Sequence, residues 1–379
     1  MSLVLSEEQH LLKQTAAEFI SEHSPITHLR AMRDTADPIG FSKDLWKEMA
    51  ELGWTGILLP EQYGGSELGM AELGVLLEEC GRTLAPYPFL STAVMGATAI
   101  ALGGNEKQKS NILPGISSGE QIVAVAFQEN PRFAPYAIST SARPSDDGFI
   151  LSGQKAWVWD ACGADQLIVA ARTSGEPGDR RGISLFLVEP SCQGIAITKT
   201  QMVDSRNSAR IEFDDVIINS EALVGELNEG AEILDAVYER CTTALAAELF
   251  GISQEIFERT LEYLKTREQF GTLIGTFQAL KHRAADLFCE VELTHSIVLE
   301  ALRAIDEDRP YRERLVSAAK ARASDTASRV CREALQMHGG IGMTDEVDIG
   351  LFMKRAKAAE IALGDSSFHR NRFAEVTGF

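Results

Sequence analysis

Apolar residues recur at helical spacing from Ser6 to about Gly119, and the stripes in FSKDLWKEMAELG (41–53) and MAELGVLLEECGRTL (70–84) close at or near glycine. Ser6, with Glu8 and Gln9 in the next turn, marks the start of the first helix. GILLPEQYGGSELG (56–69), punctuated by Pro and Gly, predicts a connector. Near Gln121 the pattern changes. IVAVAF, FILSGQKAWVW, QLIVAART, ISLFLVE, IAITKT and ARIEFDDVII are short runs rich in Val, Ile and aromatics, separated by Gly, Asp, Asn and Pro. They predict a small antiparallel β-domain. Helical periodicity returns after ALVGELNEGAEIL and holds over 229–267, 276–307, 311–338 and 345–363, which predicts a four-helix bundle. The pattern is that of an α+β chain in three regions: helical 1–120, β 121–224 and helical 225–379.

The chain has 379 residues, 45% of them apolar and only 12 of them Pro, enough for a sizeable core without long disordered tails. No window approaches the roughly eighteen unbroken apolar residues of a membrane span, so no membrane association is expected. MSLVLSEEQHLLKQ has neither a secretory nor a mitochondrial presequence pattern, and a cytoplasmic location is expected. A net charge of −19 argues against nucleic acid as a partner. The six cysteines lie far apart with no C-x-x-C pair, so reduced thiols are expected, with no disulfide framework and no metal site.

REQFGTLIGTFQALKHRAAD (267–286) is the most informative stretch. Leu249, Ile252, Ile256, Thr260, Tyr263 and Arg267 keep helical spacing up to it. Gly271 and Gly275 then break the period, and a second helix is expected from Thr276. Taken alone it reads as an αα-hairpin whose Arg caps a helix end. Together with LPEQYGG, SGQKAWV and QMHGGIGMT, however, it resembles the acyl-CoA dehydrogenase family over essentially the full length of the chain. The resemblance implies an N-terminal helical domain, a central antiparallel β-barrel domain and a C-terminal four-helix bundle.

It also implies FAD as cofactor. By the family pattern Arg267, Phe270, Gln278, Gln336, Gly339 and Gly340 contact the FAD of a neighbouring subunit, with Arg267 supplying charge for the pyrophosphate. Trp157 falls on the family's Trp near the isoalloxazine, and Trp159 stands where many members have Thr or Ser. Gln128 and Glu129 are flavin neighbours by position. Taking an α-proton from an acyl thioester requires a carboxylate in a dry pocket. In many members that Glu lies near the C-terminus, but here the position is Leu363, in ALGDSSFHR (362–370). Leu363 keeps only its backbone N–H, which the family aims at the thioester carbonyl. Asp365 reads as a turn or cap residue. The position that branched-chain members use on the first bundle helix falls on Cys241. Glu248, two turns later among Ala246, Ala247, Leu249 and Phe250, is the candidate base; the alternative is that it pairs with a basic residue. Arg240 and Arg370, with His369 and Arg372, are candidates for the charged end of CoA.

The resemblance implies α,β-dehydrogenation of an acyl-CoA to a trans-2-enoyl-CoA, with electrons passed to an electron-transfer flavoprotein. The expected assembly is a homotetramer or dimer, or a heterotetramer with a related subunit. Two other readings keep the fold: a non-catalytic scaffold subunit of a heteromeric acyl-CoA dehydrogenase, suggested by Leu363, and a flavin monooxygenase or oxidase. The ending ALGDSSFHR resembles bacterial members acting on bulky, branched or steroid-side-chain thioesters.

Overall fold

The structure is a computed structural model that describes residues 4–379. Among them the helices before the strands are α1 (Glu7–His23), α2 (Ile26–Asp34), α3 (Lys43–Glu51), α4 (Met70–Thr83), α5 (Ala97–Gly103) and α6 (Glu106–Ser117). The strands follow: β1 (Val123–Ala126), β2 (Ser141–Ser145), β3 (Gly148–Trp159), β4 (Gln166–Arg172), β5 (Ile183–Val188), β6 (Ile195–Lys199), β7 (Ser208–Asn219) and β8 (Leu223–Val224). After them come α7 (Gly230–Thr266), the two-residue strands β9 (Glu268–Gln269) and β10 (Thr272–Leu273), α8 (Gln278–Asp306), α9 (Arg312–His338), α10 (Ile349–Ile361) and α11 (Ser366–Thr377). Packing divides the chain into a bundle unit (Met1–Arg30, Met70–Ala85, Thr242–Phe379) and a sheet unit (Ala31–Gly69, Pro86–Cys241).

In the bundle unit the apolar stripe read from the sequence is core: Leu249, Ile252 and Ile256 have no exposed surface. Here α4 and α7 approach backbone to backbone. A Cβ on Gly81 would lie 2.4 Å from the Glu248 carbonyl oxygen, and one on Gly251 would lie 2.0 Å from that of Glu78. Only glycine fits at such a crossing. Helix α1 starts where expected, with Ser6 accepting from Gln9 N and Gln9 reaching back in a capping box. The last helical run ends earlier than its periodicity suggests. Leu363 (φ +56°) and Gly364 (φ +99°) both turn left-handed, and Asp365 caps a separate helix by accepting from Phe368 N at 2.9 Å. The second long helix starts at Gln278 rather than Thr276, behind a 3₁₀ turn over Ile274–Thr276.

In the sheet unit the strands run in the order β6-β7-β3-β2-β4-β5-β8, with β1 against β4. Antiparallel pairing dominates, but β4 takes parallel neighbours, β1 along four residues and β2 at one point. The reason is burial on both faces: β1 is buried throughout and β4 from Leu167 to Arg172, the pattern of parallel rather than half-solvated strands. Strand β2, SARPS, is half-exposed and carries Pro144, so its sequence held no strand signal. Leu151, Val169, Phe186 and Ile211 anchor the core of this unit.

Candidate functional site

One end of the bundle gathers six of the residues singled out above. The Tyr263 ring, on the last turn of α7, stacks on His338 at the end of α9 (centroids 4.2 Å apart), and its hydroxyl donates to the His338 carbonyl at 3.3 Å. That contact brings the β9–β10 hairpin, the first residue of α8 and the Gly339–Met343 turn to the same end. Arg267, Phe270, Gln278, Gln336, Gly339 and Gly340 are all exposed there. Phe270 is 92% exposed at the hairpin tip, where φ is +57° at Phe270 and +75° at Gly271, the geometry of a two-residue primed turn. Its ring meets Phe277 edge-on at 6.2 Å. With Phe277, Leu273, Ile341 and Met343 also exposed, this end carries an apolar patch of the kind that marks an interaction site. Among the described residues the Arg267 side chain makes no ion pair. A Cβ added at Gly339 or Gly340 would meet nothing within 4 Å, so both peptides lie open.

In the sheet unit, Trp157 is held at φ +56° and is 40% exposed. The cause is a bulge in β3 between Lys155 and Val158, where Ala156 N donates to the Gln128 carbonyl at 2.8 Å instead of to the ladder. A bulky residue in the left-handed region costs about 1–3 kcal/mol and persists only where the surroundings impose it. Trp159 has a neighbour already, the Arg206 guanidinium 5.8 Å from its ring centroid. Gln128 is half-buried, and its amide donates to the Asn130 carbonyl at 3.0 Å. Glu129 turns inward, accepting from Lys155 Nζ at 2.6 Å, Ser139 N at 2.7 Å and Thr140 N at 3.0 Å. Burial raises its pKa, but Lys155 and the two N–H groups outweigh it and hold the carboxyl below its usual range. Glu129 fastens the 139–140 segment to β3.

The carboxylate singled out as the base is not isolated. Glu248 is 2% exposed and Arg355, on α10, is 1% exposed; Arg355 Nη1 donates to Glu248 Oε1 at 3.2 Å. The apolar company of Glu248 in the sequence hid a partner 107 residues away. Its only trace was an arginine among the apolar residues of IGLFMKRAKAAEI. Cys241 is buried on α7, seven residues before Glu248, with Sγ 3.8 Å from the Leu90 carbonyl. Leu363 is buried, its carbonyl accepts from His369 Nε2 at 2.9 Å, and its N–H has no hydrogen bond among the described residues. Of the basic residues expected near CoA, Arg240 is half-buried and donates to the Ala236 carbonyl. Arg370 is paired with Asp325, and Arg372 lies 3.4 Å from Glu313. Lys320, buried in α9 and bonded to the turn beside Leu363, drew no attention in sequence, because its Ala- and Ser-rich surroundings look like an ordinary packing face. Among the described residues no helix is long and apolar enough to cross a membrane.

Three family models match in succession: acyl-CoA dehydrogenase N-terminal domain over 6–120, middle domain over 129–216 and C-terminal domain over 229–377. A probable acyl-CoA dehydrogenase, YngJ, of Bacillus subtilis (strain 168) is 30% identical, covering 98% of this chain and 98% of that protein. The mitochondrial isovaleryl-CoA dehydrogenase of Pongo abelii is 30% identical over 97% of this chain and 88% of its own length. Among solved structures, a variant of the Tcur3481-Tcur3483 steroid ACAD is 32% identical with TM-score 0.87, covering 98% of both chains. Butyryl-CoA dehydrogenase from Megasphaera elsdenii is 26% identical with TM-score 0.92, covering 100% of both. Likeness that runs unbroken through helical, β and helical regions, in sequence and in fold, makes this chain a member of the acyl-CoA dehydrogenase family, oxidoreductases acting on CH–CH groups.

Proposed function

We propose that the chain is an FAD-dependent acyl-CoA dehydrogenase that converts an acyl-CoA to a trans-2-enoyl-CoA and passes the electrons to an electron-transfer flavoprotein. The observation that carries this reading is the cation of Arg267, without an ion-pair partner among the described residues, on the same bundle end as the open Gly339–Gly340 peptides. A pyrophosphate needs such a charge and a backbone without Cβ atoms in its way. Phe270, Gln278 and Gln336 would flank the dinucleotide from the same end, and the exposure of Phe270 supports a neighbouring subunit as the owner of that FAD. In the sheet unit, the bulge that strains Trp157 supports a flavin-facing role for Trp157 and Gln128, with Trp159 beside them. FAD, when bound, supplies the acceptor for the β-hydride.

The chain's own part is to hold the thioester, exclude water and take the α-proton. Glu248 is the proposed base and the Leu363 N–H the proposed donor to the thioester carbonyl. Arg355 holds that carboxylate in a buried ion pair across 3.2 Å, which fixes its position. Arg240 and Arg370 are the proposed contacts for CoA. A bulky or branched acyl group is the proposed substrate class, in line with the isovaleryl-CoA and steroid relatives. A second reading has its own support: Leu363 cannot take a proton and Glu248 is engaged by Arg355, which suits a subunit whose base comes from a related chain. Anaerobic titration of the FAD-loaded protein with a panel of acyl-CoAs tests the proposal, since the substrate itself should bleach the flavin.

A further inference from the structure

Two buried basic side chains converge on the turn between α10 and α11. Lys320 has no exposed surface, and its Nζ donates to the Glu360 carbonyl at 2.9 Å, the Gly364 carbonyl at 2.9 Å and Ser324 Oγ at 3.1 Å. One ammonium thus fastens the last turn of α10 to the residue after Leu363. From the other side, His369 on α11 donates Nε2–H to the Leu363 carbonyl at 2.9 Å. A carbonyl can only accept, so Nε2 carries the proton and Nδ1 is bare; Nδ1 has no hydrogen-bond partner among the described residues. Burial, then the charge of Lys320, pulls His369 down to about 3, which keeps the ring neutral.

Between the two lies a costly stretch of backbone, with Leu363 at φ +56° and Gly364 at φ +99°. A Cβ at Gly364 would lie 2.4 Å from the Phe368 ring and 3.1 Å from His369 Nε2, so the turn is pressed against α11. Left to itself a leucine leaves this conformation. Yet the carbonyls of Leu363 and Gly364 are both pinned, while the Leu363 N–H is given no acceptor among the described residues.

We propose that Lys320 and His369 clamp the Leu363–Gly364 turn from its two sides, fixing the Leu363 N–H in the direction of the thioester carbonyl. Both are positioning residues, and the inference rests on the role given to Leu363 above. A donor held in advance of the reaction stabilises developing charge on the oxygen without reorganising. The charge of Lys320 has its own consequence. Burial lowers Lys320 to about 7, against the opposing charges of Glu360 and Asp365; His369 faces Lys320, Arg372 and Asp365. The ammonium has three protons for three acceptors and the amine only two, so the clamp loosens as pH rises through about 7.

The measurement is the carbonyl stretch of a thioester-labelled 2-enoyl-CoA bound to the FAD-loaded, full-length protein, read by difference infrared. In the wild type the stretch should lie well below that of the free ligand, and the displacement should shrink as pH goes from about 6 to about 8, on either side of the value for Lys320. In Lys320→Met and His369→Leu it should fall back toward the free ligand, with Kd for the enoyl-CoA changing by less than about tenfold. His369→Gln, whose amide can still donate to Leu363, should keep it. A wild-type displacement that is unchanged by pH and by both disabling variants overturns the clamp and leaves the Leu363 assignment standing. No displacement in the wild type overturns that assignment, and the clamp with it. If the variants do not fold, the wild-type pH series alone decides.

Discussion

Arg267 and the Glu248–Arg355 pair carry opposite lessons about charge. Arg267 is exposed and makes no ion pair among the described residues, so its charge is available to a ligand. Arg267→Ala should therefore cost little in monomer stability, yield protein that loses its FAD on gel filtration, and weaken the oligomer. Retention of yellow colour and of assembly would remove Arg267 from the cofactor site. Arg355 instead spends its charge inside the bundle. Removing one partner of a buried pair costs about 3–5 kcal/mol, whereas replacing both by apolar or neutral groups is often nearly neutral. Arg355→Met should thus destabilise strongly in denaturant unfolding, and Arg355→Met with Glu248→Gln should recover much of the loss. Additive losses would mean the pair is not coupled. It follows that Glu248→Gln also leaves a buried guanidinium without its carboxylate, so its stability has to be measured beside its activity.

Between elements, α1, α4 and α8 meet at a second buried carboxylate. Glu78 has no exposed surface, Lys13 of α1 donates to it at 2.9 Å, and His295 Nε2 of α8 lies 3.7 Å away, too far for a hydrogen bond. Burial pushes Glu78 up to about 7 despite Lys13. Because its folded pKa lies above the unfolded 4.5, the native state binds this proton more tightly. Its stabilising contribution is complete below about 4.5 and is lost as pH rises through about 7. His295 is pulled down to about 4 by burial and by Lys13, and so stays neutral across most of that window. The Tm of Glu78→Gln relative to wild type should therefore rise from about pH 5 to about pH 8; a flat difference would contradict the assignment.

At this scale the sequence was partly legible. The Leu249–Ile256 stripe, the Ser6 cap and the Asp365 cap are local, and period or chemistry reveals them. Strand β2 and the parallel β1–β4 pairing are imposed by neighbours and have no local mark. The site divides the same way. REQFG and QMHGGIGMT named one bundle end, but Arg355 and Lys320 matter through partners 107 and 44 residues away, a distance no local pattern spans.

For the whole molecule, the net charge of −19 opposes a polyanionic CoA thioester, so a local cluster must hold it. Arg370, a proposed CoA contact, and its neighbour Arg372 are already paired with Asp325 and Glu313, so a CoA phosphate bound there would have to displace those carboxylates. The assembly has the corresponding freedom. Phe270, 92% exposed, suits a surface that a second subunit covers, whether identical or related. The central claim, that this chain oxidises an acyl-CoA with its own FAD and its own base, is tested most directly by flavin bleaching. The FAD-loaded protein would be titrated anaerobically with straight, branched and bulky acyl-CoAs, in the wild type and in Glu248→Gln. A general base contributes roughly a hundred- to ten-thousand-fold, so the wild type should bleach with at least one branched or bulky acyl-CoA while folded, FAD-bound Glu248→Gln does so at least about a hundredfold more slowly. Bleaching at an undiminished rate in Glu248→Gln would contradict the assignment of the base, and a wild type that bleaches only when a related chain is co-expressed would show that the base belongs to the partner.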